Sequence, residues 1–377
     1  MEGLGVSLPA PSKAALPQVS LPDPAFWAGK RVLLTGHTGF KGSWLALWLA
    51  DMGAKVTGLA LAPETHPNHF EATDVASLCC HHVADLRDLE AVRRIVAETQ
   101  PEVVLHLGAQ ALVRRSYRDP HGTFATNVGG TANLLEALAE AASAQAILVI
   151  TSDKVYANDD TGRAFREEDA LGGHDPYSAS KAAAEQVVGA WRAARFPTTG
   201  PVRLATARGG NVIGGGDYSE DRIVPDIVRA AERGEALVLR SPDATRPWQH
   251  VLDCLCGYLV YAERLAAGNV PLALNIGPDP GVPITVAEIA DVLLPALGAA
   301  ESWKLDPAAS TAPREMKLLS LDPARARLLG IGDRLAGRLA LDWTAAWYAG
   351  RAAGKPAREL TMQQIAAYQT LNSGISR

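Results

Sequence analysis

Two short stretches carry side chains whose types and spacing could move protons and hydride. In Thr151-Ser152-Asp153-Lys154-Val155-Tyr156 a hydroxyl, a carboxyl and an amine follow one another directly. In Tyr177-Ser178-Ala179-Ser180-Lys181 a phenol and an amine stand four residues apart, on one face of a helix. A nearby ammonium favours the phenolate, so Tyr177 beside Lys181 reads as a base working well below the free phenol pKa of about 10. Such a base, next to a separate Ser-Asp-Lys set, suits an oxidation coupled to an elimination. The bland alternatives are a Tyr/Lys pair on a surface helix and a Ser-Asp pair that only caps a turn.

These groups need elements to hold them. Ala146–Ile150 is an unbroken apolar run, the pattern of a buried parallel strand, so residues 151–154 emerge at its carboxyl end, where ligands sit in an open α/β sheet. Tyr177 opens a helix running to about residue 194. Upstream, Arg31–Thr35 reads as a strand, Gly36 to Gly42 as a turn and Ser43–Met52 as a helix closed by Gly53. Further strands are expected at 55–60, 78–83, 103–107 and 202–206, with helices at 88–98 and 123–143 between them. The alternation predicts an α/β fold with a doubly wound parallel Rossmann sheet. After Arg208 the glycine-rich stretch 209–217 opens a different region, with helices at 222–233 and 284–299, a short strand at 236–240 and another at 272–276 rejoining the sheet. The domain reading is therefore an N-terminal extension (1–27, disordered or draped on the surface), a dinucleotide-binding domain (28–208 and 247–277), and a smaller interleaved C-terminal substrate lobe (209–246 and 278–377).

Gly36, Gly39 and Gly42 follow a strand and open a helix, the context in which a glycine pattern signals a dinucleotide. Glycine lets the backbone approach a pyrophosphate, and the helix N-terminus offers free N–H groups. The acid that usually holds the adenosine ribose is missing, because strand two ends Gly58-Leu59-Ala60-Leu61 and Glu64 comes late. With no Arg there for a 2′-phosphate, these residues leave NAD and NADP both open. Asp85 either meets the adenine edge or caps the helix starting near Asp88.

Composition excludes other classes. Thirty-six Lys and Arg against 41 Asp and Glu give no broad basic field for nucleic acid. No apolar run reaches the roughly 18 residues of a membrane span, and the N-terminus lacks a signal-peptide pattern, which points to a cytoplasmic protein. Cys79-Cys80-His81-His82 imitates a metal cluster, but alternate strand residues face opposite ways and cannot close round one ion. His66 and His69 read as a solvated loop, and Trp44, Trp48 and Trp248 as core.

The motifs Thr35-Gly-His-Thr-Gly-Phe-Lys-Gly-Ser-Trp44, Thr151 to Tyr156, Gly210-Asn-Val-Ile-Gly-Gly-Gly-Asp217 and Arg246-Pro-Trp-Gln-His250 resemble the extended short-chain dehydrogenase/reductase superfamily, and within it the CDP-glucose 4,6-dehydratase branch. The resemblance implies NAD, held by Gly36, Thr38, Gly39, Phe40, Lys41, Gly42, Asp85, Leu86, Leu107 and Ala109 together with Tyr177 and Lys181. It implies CDP-glucose as substrate, met by Gln110, Arg114, Asn127, Asn211, Arg222 and Arg246, with no resident metal. By position, Ser152 would bond the sugar 4-hydroxyl, Asp153 would protonate the departing 6-hydroxyl, and Lys154 would be the partner of Asp153, where dTDP-sugar relatives carry Glu. The superfamily also suggests a homodimer or homotetramer. Departures are modest: Val155 stands where Cys is expected, Arg314-Glu315 where His-Glu is expected, and the Pro-rich tail is additional.

The implied reaction is a redox-assisted dehydration. Oxidising C4 makes the C5 proton acidic, water leaves across C5–C6, and hydride returns to C6. Lys154 is either the C5 base or a cation that stabilises the enolate. Rival readings are a dTDP- or GDP-sugar dehydratase, a nucleotide-sugar 4-epimerase, for which Asp153-Lys154 has no use, and a non-catalytic dinucleotide-sensing regulator, for which the whole constellation has none.

Overall fold

The computed structural model describes residues 18–141, 143–158, 161–268, 270–278, 283–306 and 319–371. Its centre is a seven-stranded parallel sheet, ordered in space as Ala273–Ile276, Arg203–Gly209, Ala146–Ile150, Val103–His106, Arg31–Thr35, Lys55–Ala60 and Cys80–Val83. The chain starts in the fifth of these positions and reverses direction after the third strand has formed. The switch point therefore lies between Arg31–Thr35 and Val103–His106, with the crevice opening beyond their carboxyl ends.

Strand alternation builds two cores. Val32, Leu34, Leu105 and Leu148 point to one face, against Trp44 and Trp48 of the helix Phe40–Asp51. Leu33, Val104, Ile147 and Val149 point to the other, against Val92 and Ile95 of Leu89–Thr99 and Leu134 and Leu138 of Gly130–Ala139. With both faces covered, these strands carry apolar residues at every position, which is why they read as continuous runs.

Several elements differ from the sequence expectation. The third strand starts at Cys80, because Val75–Leu78 winds into a 3-10 turn. The helix expected over 123–143 is broken into Pro120–Phe124, a π turn at Ala125–Gly129 and Gly130–Ala139. The strand at Leu237–Leu239 pairs with Trp303–Leu305 in a separate small sheet, whereas Ala273–Ile276 joins the main one. The strand expected at 202–206 continues to Gly209, so Arg208 and Gly209 belong to the sheet rather than to the glycine stretch that follows.

His69 does not lie in a solvated loop. It is buried in the short helix His69–Ala72, stacked on Trp44, with ring nitrogens 2.7 Å from the Ser43 hydroxyl and 3.0 Å from that of Thr361. Residues 18–23 lie along the body, with Ser20 N–H donating to the Gly330 carbonyl. Pro24–Trp27 is helical, and Trp27 is buried in the core with its indole donating to Glu263. On the edge strand, His81 meets the buried His37 at 2.6 Å, Cys80 approaches His82, and the Cys79 thiol donates to the Val75 carbonyl. Among the described residues no helix is long and apolar enough to cross a membrane. Arg314 and Glu315 lie outside the described residues.

Candidate active site

A cavity of about 1390 Å³ fills the crevice above the switch point. One wall is the glycine turn. Gly36 has φ +74°, and a Cβ on it would lie 2.8 Å from the Gly108 nitrogen; one on Gly42 would lie 2.1 Å from the Gly36 carbonyl oxygen. Only glycine lets three backbone segments come this close. The turn leads into the twelve-residue helix Phe40–Asp51, whose N-cap Gly39 has no side chain to occupy the free N–H groups. This is a ready cradle for a pyrophosphate. Thr38, Phe40, Lys41, Asp85, Leu86, Leu107 and Ala109 line the same cavity.

The turn is anchored from below. His106, buried at the end of its strand, is 2.7 Å from the Thr35 hydroxyl, which accepts a bond from Gly108 N–H at 2.9 Å. Burial, with Lys181 adding to it, lowers the His106 pKa to about 3, so the ring stays neutral. Asp85 is not the helix cap. Asp88 fills that role, accepting from Ala91 N–H, while Asp85 is held by Arg87, which keeps its pKa below the ordinary value. Above Gly58 the His37 ring occupies the space; a Cβ there would come within 2.4 Å of it.

The opposite wall carries the reaction groups. Ser152, Asp153, Lys154 and Tyr177 all line the cavity, so the carboxylate and the phenol share one space. Ser152 does both things its type allows: its oxygen caps the 3-10 turn Asp153–Val155 by accepting from Lys154 N–H, and its hydroxyl donates to Asp153 Oδ1 at 3.0 Å. Asp153 is buried, and its Oδ2 has no hydrogen-bond partner within the protein. Burial raises its pKa, opposed by Lys154, Ser152 and Arg246. A buried carboxyl with a spare oxygen, biased toward its protonated form, is suited to donate a proton.

Tyr177 departs from the expectation. Burial raises its phenol pKa, and the groups that pull it down are the Ser152 hydroxyl and Arg222, not Lys181. Lys181 lies behind the cavity wall, its ammonium donating to the Ile150 carbonyl at 3.2 Å. Burial and Lys41 lower its own pKa to about 7, with Glu185 acting in the other direction. In the protein's own residues, then, burial holds the proton on the phenol, Asp153 and Asp175 add to that, and Ser152 and Arg222 oppose it.

Other expected contacts divide. Asn211, Arg222 and Arg246 line the cavity, with Arg222 donating to the Ala111 carbonyl and Arg246 to that of Thr245. Arg114 also lines it but is paired with Asp221 at 2.9 Å, bridging the Val113–Arg118 helix to the 217–222 segment. Gln110 reaches the cavity, yet its side-chain amide is committed to Leu112 and Thr123. Asn127 is not among the residues that line the cavity. It is buried, accepting from Gln110 N–H and donating to the Gln110 carbonyl and to Ser180, so it fastens the loop to the tyrosine helix. Trp44 and Trp48 are core, whereas Trp248 is half-buried and lines the cavity, its indole donating to the Ile284 carbonyl. Sequence reading missed Ser116, which accepts from Tyr177 N–H, and the buried pair Glu185–Arg208.

Residues 32–277 match the model of the NAD dependent epimerase/dehydratase family. The chain belongs to that family. It is 43% identical over 341 residues to the CDP-glucose 4,6-dehydratase of Salmonella typhimurium, covering 87% of this chain and 94% of that protein. The solved epimerase of Methanothermobacter thermautotrophicus superposes with a TM-score of 0.72 at 22% identity, covering 90% of this chain and 96% of that one. The UDP-glucose 4-epimerase of Thermus thermophilus, solved with NAD, does so at 0.71 and 23%, covering 84% and 97%. These two likenesses bear on the fold. Membership in the NAD-dependent epimerase/dehydratase family makes this an NAD-dependent enzyme, and the glycine cradle fits the coenzyme's pyrophosphate.

Proposed function

We propose that the chain is a CDP-glucose 4,6-dehydratase, forming CDP-4-keto-6-deoxyglucose. The observation that carries this reading is the Asp153 carboxyl, buried with one free oxygen in the cavity that also holds Tyr177 and Ser152. An epimerase needs the phenol but no acid beside it. The adjacent Lys154 and the likeness to the Salmonella typhimurium enzyme favour CDP-glucose among nucleotide sugars.

The glycine cradle would hold NAD, whose nicotinamide would supply the reversible hydride acceptor that an internal redox between C4 and C6 of the sugar requires. Tyr177 takes the proton of the 4-hydroxyl, with the Ser152 hydroxyl and the Arg222 charge favouring the phenolate against burial. Lys154 serves the C5 position, as base or as the cation that stabilises the enolate, and Asp153 protonates the departing O6. Arg222 and Arg246 supply charge for the diphosphate, and Asn211 stands beside them. The four cysteines, all free thiols, suit a cytoplasmic location. The exposed Tyr117 and Phe124 suit a homodimer or homotetramer.

Incubation with CDP-, dTDP-, UDP- and GDP-glucose in heavy water tests the reading. Loss of water with one solvent deuterium at C5, from CDP-glucose alone, is expected. Retention of mass with inversion at C4 would establish an epimerase instead, and no turnover of any sugar would leave a regulator.

A further inference from the structure

Tyr177, Lys181 and Glu185 stand four residues apart and form one stripe along the helix Pro176–Ala194. Tyr177 faces the cavity, Lys181 lies behind the wall, and Glu185 sits at the base of the stripe, buried. Both oxygens of Glu185 are filled from two different strands. Oε1 accepts from Thr151 Oγ1 at 2.6 Å and from Arg208 Nε at 3.1 Å. Oε2 accepts from Thr206 Oγ1 and from Arg208 Nη2, each at 2.9 Å.

Thr151 directly precedes Ser152 and Asp153. Arg208 continues the chain of bonds to the Tyr156 hydroxyl at 2.9 Å and to the Glu167 carbonyl, and Tyr156 in turn donates to Asn275. The turn that carries Ser152, Asp153 and Lys154 is thus bracketed at both ends, Thr151 and Tyr156, by groups bonded to a single ion pair. The same pair holds the helix that carries the phenol. Docking this helix would require only apolar contact, and a buried ion pair is no more stabilising than well-packed apolar residues of similar volume. What it supplies is a fixed distance between two catalytic elements, where a misplacement of about 1 Å can cost about a hundredfold in rate.

We propose that Glu185 is the positioning residue of the reaction centre: it locks the rotation of the tyrosine helix against the Ser152–Lys154 turn and sets a compensating negative charge behind Lys181. This rests on the reading of Tyr177 as the base of the hydride step. The charged and titratable groups facing Lys181 are Lys41 from the glycine-turn helix, His106 from its strand, Glu185 from its own helix, and Arg208 through Glu185. Of these, Glu185 alone is an anion, and it acts on Lys181 in the direction opposite to burial and Lys41.

The test uses full-length protein carrying Glu185→Gln and, because that change strands the Arg208 charge, a second protein carrying Glu185→Gln with Arg208→Gln. Circular dichroism and melting select folded protein. The double variant is expected to lose about a hundredfold in kcat with KM for CDP-glucose within about threefold, the signature of mispositioned catalytic groups. Its alkaline limb of kcat should move to lower pH, since the ammonium has lost its anion, and NADH titrated by fluorescence should bind several-fold more weakly. A folded double variant with wild-type kcat and an unmoved alkaline limb overturns the role of Glu185. Tyr177→Phe serves as a separate control: if it turns over normally, the reading of the base has failed, whatever Glu185 does.

Discussion

Replacing Asp153 by Asn perturbs the reaction centre with almost no change of shape. Its Oδ1 accepts from the Ser152 hydroxyl at 3.0 Å, and an amide oxygen keeps that bond. What disappears is the dissociable proton. Burial raises the carboxyl's pKa, and Lys154, Ser152 and Arg246 only partly oppose it, so the acid holds its proton to higher pH than a free carboxyl does. A positioned general acid contributes about 10²–10⁴-fold, or about 2.7–5.4 kcal/mol of barrier, and the Asn variant should lose that much of the dehydration rate. Hydride removal from C4 does not need the acid and should survive. In stopped flow with excess NAD-loaded enzyme and CDP-glucose, absorbance near 340 nm from reduced coenzyme should rise and then decay slowly, at about the reduced rate. The pH profile has a definite sign. An acid acts only while protonated, so wild-type dehydration falls as pH rises through the raised pKa, and the residual rate of the variant lacks that limb. Stability follows the same linkage. A carboxyl with a raised folded pKa contributes its full stabilisation below the free value and loses it as pH rises through the folded one. Asp153→Asn should therefore gain on the wild type in melting temperature as pH rises above the free carboxyl value and through the raised one. Water loss at the wild-type rate, or failure already at C4 oxidation, would refute the assignment.

Lys154→Met should leave C4 oxidation measurable while dehydration falls by about 10²-fold or more, read by the same absorbance trace and by deuterium incorporation at C5. Unchanged dehydration would remove Lys154 from the mechanism. A separate prediction concerns the N-terminal segment, where Glu263 accepts from the Trp27 indole and from Asp23 N–H. Burial raises its pKa to about 7, so its stabilising contribution is complete below the free value near 4.5 and is lost as pH rises through about 7. The wild-type melting temperature should fall between about pH 5 and 8 more steeply than that of Glu263→Gln; parallel curves would contradict the linkage.

The sheet was legible because its physics is local. Val32 to Leu34, Val103 to Leu105 and Ala146 to Ile150 are apolar at every position because helices cover both faces, and Gly36 and Gly42 stand where a Cβ would strike backbone. The shared cavity of Asp153 and Tyr177 follows from the same source, since a parallel strand delivers its next residues to the ligand side of the sheet. What escaped depends on partners far along the chain. Asn127 was a substrate contact only by family resemblance, and its three side-chain bonds go to Gln110 and Ser180. His69 looked solvated because nothing nearby announces Thr361, almost three hundred positions later in the chain. Glu185 drew no notice in the sequence, and only the fold brings it Thr151, Thr206 and Arg208.

The phenol shows why proximity in sequence is a poor guide to charge. Lys181 is one turn from Tyr177, but its ammonium is turned to the Ile150 carbonyl and is itself destabilised by burial, while Ser152 and Arg222, from other elements, are the groups that oppose the upward push of burial on the phenol. A buried site is governed by what its walls present rather than by what its own helix carries. The base, the acid and the anion behind them are therefore coupled through one turn at the end of one strand, and a change at Thr151 or Arg208 should be felt at both chemical steps although neither residue need meet the sugar.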